Sequence, residues 1–70
     1  MLAFVIVFTI TLGKIETTYT FNSGKERYNT ADVCEEKAVN LCIDLVNFAE
    51  SIGATGTTAR KCFIPDYRDT

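Results

Sequence analysis

The sequence contains no histidine and no tryptophan. Without histidine the chain lacks the commonest general base and the commonest transition-metal ligand, and Ser-His and Cys-His nucleophile pairs are excluded. Proline occurs once and glycine four times, too rarely for a linker-like or low-complexity chain. There is no internal repeat. The three cysteines include no C-x-x-C pair, so neither a zinc site nor a dithiol redox motif has support. The pair Gly24-Lys25 does not make a phosphate loop, because Tyr19 and Glu26 stand where that motif needs glycine and Ser or Thr. Glu35 and Glu36 are sequence neighbours that diverge on a helix, so they do not form a glycosidase pair. No catalytic, cofactor-binding or metal-ligating residue is assigned, no cofactor is expected, and the chain reads as non-enzymatic.

Hydrophobic residues make up 47% and charged residues 23%, a balance that points to a folded globular chain rather than disorder. Seventy residues allow one domain, spanning 1–70. A domain of this size buries only about 60% of its unfolded surface and ordinarily needs a disulfide, a metal or a partner subunit. The net charge of −2 does not favour a nucleic-acid partner.

The apolar run Leu2 to Leu12 is shorter than the roughly 20 residues that span a membrane, so no membrane span is expected. A secretory leader could be this short, but no Lys or Arg precedes the run and no A-x-A-like site follows it. Val5, Ile6, Val7, Thr9, Ile10 and Thr11 favour a strand. Pairing supports the strand. A two-residue II′ turn at Gly13-Lys14 sets Leu12 against Ile15, Ile10 against Thr17, Phe8 against Tyr19 and Ile6 against Phe21, all on one apolar face. The other face is rich in threonine. The competing reading is an export leader removed within the first dozen residues.

Asn22 to Asn29 reads as a loop. Thr30 is suited to cap a helix, and Asp32 stands in its first turn. Cys34, Ala38, Leu41, Cys42, Leu45, Ala49 and Ile52 recur at helical spacing, and Gly53 supplies a stop. Thr57 to Ile64 reads as a third strand that ends before Pro65. The expected elements are a strand over 2–12, a strand over 15–22, a helix over 31–52 and a strand over 57–64. Chain direction and the apolar first strand give an α+β fold: a three-stranded antiparallel sheet of order 2-1-3, with the helix packed on the face of Ile6, Phe8 and Ile10.

Cys34 and Cys42 are two helical turns apart, roughly 12 Å, too far to bond. Cys34 begins the helix and Cys62 lies near the end of the third strand, at the same end of this topology. A Cys34–Cys62 bridge is therefore expected, with Cys42 as a buried thiol; the alternative is three reduced, buried cysteines. One helix leaves the other sheet face open. Ala3, Val5 and Val7, with Phe63, form a candidate partner surface there, and Lys25, Arg27, Arg60 and Lys61 form a candidate basic rim.

The layout resembles small uncharacterised phage and prophage proteins. Those begin with an apolar strand and a turn to a polar-alternating strand. A helix then opens on a stretch like Thr30-Ala31-Asp32-Val33-Cys34-Glu35, and a last strand ends on one like Cys62-Phe63-Ile64-Pro65. The resemblance covers nearly the whole chain; Cys42 is outside the shared pattern. It implies an accessory phage-type protein and assigns no activity. The role expected of such a protein is to bind and inhibit a host protein, a defence component or host enzyme, in the host cytoplasm. The alternatives are a minor virion or assembly protein that self-associates through its sheet as a homo-oligomer, and a small exported protein stabilised by a disulfide.

Overall fold

A computed structural model of the chain describes residues 1–65; the polar tail read for residues 66–70 lies outside the described residues. The elements are β1 (Ala3–Leu12), β2 (Ile15–Asn22), α1 (Ala31–Ser51) and β3 (Thr55–Phe63). The strands form one antiparallel sheet in the order β2-β1-β3, an α+β arrangement with a single helix.

The β1–β2 register pairs Leu12 with Ile15, Phe8 with Tyr19 and Ile6 with Phe21, as the face alternation requires. Gly13 has φ +64 and, among the described residues, no non-glycine residue has positive φ, which fits a II′ turn with glycine at its first central position. Beyond β2 the chain folds back along the start of β1. Leu2 and Tyr28 exchange backbone hydrogen bonds of 2.8 and 2.9 Å. The Tyr28 ring stacks on Phe4 with centroids 6.0 Å apart. Ser23 fixes the turn between them: its N–H donates to the Phe4 carbonyl, and its Oγ accepts from the Phe4 N–H.

The Thr30 side chain caps α1 by accepting from the Val33 N–H at 3.2 Å. At the other end the N–H of Gly53 donates to Glu50 O and that of Ala54 to Ala49 O, with Gly53 at φ +79. This double bond pattern is the Schellman stop that glycine at that place makes available.

Phe4, Ile6 and Phe8 of β1 are buried against Cys34, Ala38, Cys42 and Ala49 of α1. The helix stripe is built of small side chains, so α1 lies close to the sheet. It lies over β3 and β1, and its backbone does not come close to that of β2. Gly56, paired with Ile10, sits directly under it: a Cβ there would be 2.9 Å from the Ala49 Cβ and 3.5 Å from the Val46 Cα.

That seat accounts for the difference at the third strand. Ala54 to Gly56 reads as a connection and 57–64 as the strand, yet β3 spans Thr55–Phe63. Glycine disfavours a strand in isolation, but here it is the residue that fits between Phe8 and the helix, and Thr11 extends the pairing to Thr55. The helix ends at Ser51, with Ile52 as its cap residue.

Candidate functional site

The off-centre helix leaves an open apolar groove. Three strands at about 4.8 Å spacing are wider than one helix of about 10 Å, so a helix centred over β1 and β3 does not cover β2. The floor of the groove is Phe8, Ile10 and Leu12 of β1. One wall is Ile15, Thr17, Tyr19 and Phe21 of β2, and the other is Leu45 and Phe48 of α1 with Ile52 at its cap. Its volume is about 410 Å³.

Among the described residues no lining side chain is charged; the polar side-chain atoms are the hydroxyls of Thr17 and Tyr19. Ile15 is 71% exposed and Phe48 56% exposed, and Leu12, Tyr19 and Ile52 are also open to solvent. Phe8, Tyr19 and Phe21 form a triangle of rings with each pair of centroids 6.5 Å apart. These large apolar side chains are gathered in one concave patch, whereas Val33 and Ile43 of α1 are exposed outside it.

The surface expected on the opposite sheet face is only partly exposed. Ala3 is 5% exposed and contributes little to it; its carbonyl oxygen lies 3.5 Å from the Cys34 Sγ. Val5 and Phe63 are half-buried and Val7 is 40% exposed. Ala3, Val5, Phe63 and Arg27 line one shallow depression that also includes Ser23 and Gly24.

The basic rim is divided between the two faces. Arg60 pairs with Ile6 and turns to the helix side, where its Nε donates to Glu35 Oε1 at 2.7 Å. The hydrogen bond to Glu35 and then its charge hold the Arg60 guanidinium more firmly protonated than usual. Lys61 pairs with Val5 and belongs to the other face. Arg27 bends back on its own loop, donating to the Gly24 and Glu26 carbonyls at 2.8 Å each. Lys25 is exposed in the same loop.

Cys34 and Cys62 stand at disulfide distance, with Cα atoms 6.3 Å apart, and Cys42 is a separate buried thiol. Burial, then the hydrogen bond and charge of Glu26, raise the Tyr28 pKa above its ordinary 10.0. Among the described residues no group of His, Cys, Asp and Glu is arranged to hold a metal ion. No described helix is long and apolar enough to cross a membrane.

The groove was the part that sequence reasoning missed. Phe48 is absent from the helical stripe read at Cys34 to Ile52, and it is the residue that turns the helix flank into a wall. The signal available was the run of small residues at Ala38, Cys42 and Ala49, which marks where a helix sits closest. Fold and groove together describe a small α+β chain with an open apolar groove beside its helix. No protein-family model matches the chain, and no curated protein or solved structure matches it.

Proposed function

We propose that the chain acts by binding another protein in the groove between α1 and β2. One observation carries this reading: six large apolar side chains, Leu12, Ile15, Tyr19, Phe21, Phe48 and Ile52, are exposed along a single uncharged groove. Such a groove suits the apolar stripe of an amphipathic partner segment, laid beside α1. The resemblance to small phage proteins makes a host protein the expected partner and inhibition by occupation the expected effect. The test is affinity capture from host lysate with the intact chain, compared with Phe48→Glu and Val7→Glu. Loss of capture in the Phe48 variant alone supports the groove. Loss in the Val7 variant alone moves the surface to the opposite face and overturns the reading.

A second reading rests on the cysteines. A pair at disulfide distance suits an oxidising compartment, where such bonds persist. This favours the exported, disulfide-stabilised alternative. Acid trapping of thiols in cells that make the protein decides it: a reduced Cys34 and Cys62 in that sample removes the support.

A further inference from the structure

β2 lies at the edge of the sheet beside the groove, with one side unpaired among the described residues. In a two-residue hairpin the residues that flank the turn exchange backbone hydrogen bonds, and the pattern alternates from there. Leu12 and Ile15 are that flanking pair. The Ser23 N–H on the Phe4 carbonyl falls on the same alternation. Ile15, Thr17, Tyr19 and Phe21 therefore direct their backbone groups to β1. Glu16, Thr18, Thr20 and Asn22 direct theirs to the open edge.

Edge strands are usually guarded by proline, lysine, a bulge or a cover. β2 has no proline and no basic residue, its register with β1 is continuous, and every residue in it is exposed. The opposite edge differs: β3 carries Arg60 and Lys61 and lies under α1.

We propose that β2 pairs antiparallel with β2 of a second copy, across a two-fold axis at Thr18. Two constraints select this register. The outward backbone groups belong to even-numbered residues, so they meet only where even faces even, and that also keeps both apolar faces on the same side of the joint sheet. Among such registers, Thr18 opposite Thr18 sets Ile15 against Phe21 of the second copy, Thr17 against its Tyr19, and Glu16 against its Thr20. These are aromatic, β-branched and hydroxyl pairs with no like charges opposed. Moving the axis to Tyr19 instead sets Ile15 against Ser23. The product is a six-stranded sheet with both helices on one face and the two grooves joined into one trough. Each copy contributes a single eight-residue strand edge, a small contact beside the ~800 Å² per partner of a standard interface, so the association is weak. The inference uses the strand edge and stands without the partner reading of the groove.

Sedimentation equilibrium of the full chain, from about 1 to 100 µM, covers the range expected of so small an interface. It should show a monomer–dimer equilibrium. Thr18→Lys places two ammonium groups across the axis and should weaken association about tenfold or more, with unchanged melting because the residue is exposed. Thr18→Cys should cross-link on mild oxidation, since residues directly opposed in a hydrogen-bonded pair lie about 5.5 Å apart at Cα, within bridging range. Thr20→Cys lies roughly 13 Å from its symmetry mate and should not. A monomer throughout the range, or cross-linking of Thr20→Cys as readily as Thr18→Cys, overturns the proposal. Phe48→Glu is remote from the edge and should leave the dimer intact, so a failure of partner capture and a failure of pairing are read separately.

Discussion

Gly56 lies so close beneath Ala49 that a Cβ on residue 56 would stand 2.9 Å from the Ala49 Cβ and 3.0 Å from Phe8 Cε1. This contact sets the position of the helix. It brings α1 down over β3 and β1, and the uncovered half of the sheet becomes the groove.

Gly56→Ala should therefore destabilise the fold by about 1–3 kcal/mol, the usual cost of overpacking, although alanine would restrain the unfolded chain in the opposite sense by about 0.4–1 kcal/mol. Gly56→Val should be worse. Urea unfolding measures both, and a Gly56→Ala midpoint at or above that of the original chain would show that the helix shifts freely.

The two faces of β1 should differ sharply under truncation. Ile6 has no exposed surface and packs in the cluster with Phe4, Tyr28 and the helix cysteines. Ile6→Ala should cost about 2–5 kcal/mol, whereas Val7→Ala, on the open face, should cost less than about 1 kcal/mol. Denaturant midpoints that fail to separate the pair would contradict the facing derived from the register.

Joining Cys34 to Cys62 closes a loop with a sequence separation of 28. On the chain-entropy account such a cross-link stabilises by about 3.5 kcal/mol, a large share of what a 70-residue chain possesses. Melting in the presence of a strong reductant should fall by many degrees. Labelling of the oxidised protein should find one thiol, Cys42, reactive only after unfolding because it is buried in the native state.

Tyr28 supplies an alkaline limit. Its folded pKa is raised above 10.0, first by burial and then by Glu26, so between the unfolded and folded values the native state binds more protons than the unfolded chain. The stability due to this group is complete below pH 10.0 and is lost as pH rises through the folded value. Tyr28→Phe retains the stack on Phe4 and should show a smaller decline above that pH. Equal slopes for the two proteins in pH-dependent urea unfolding would remove Tyr28 as the cause.

Much of the fold was legible because its determinants are local. Gly13 fixes the hairpin turn, Thr30 and Gly53 bound the helix, and period-two alternation sets which side of β1 is buried. Cys34 and Cys62 follow from topology once those elements are placed. What was not legible depends on lateral position. Periodicity places Leu45 and Ile52 on an apolar flank, but it does not say whether the helix is centred over β1 or displaced toward β3. That displacement arises from Gly56, which read as part of a connection, and from its fit under Ala49. The groove, the role of Phe48 and the division of Arg60 from Lys61 all follow from it.

The ties of this fold are concentrated at one end. The Cys34–Cys62 pair, the Leu2–Tyr28 bridge, the Phe4–Tyr28 stack and the Ser23 contacts gather where β1 begins, whereas at the other end β3 pairing stops at Thr11 and the exposed Gly13 turn projects beyond it. Local opening therefore costs least at the hairpin tip. Fluctuations there swing Leu12, Ile15 and Thr17 away from Ile52 and widen the mouth of the groove, while the pinned end keeps its shape. Opening there proceeds from the tip inward, without any step that unfolds the whole chain.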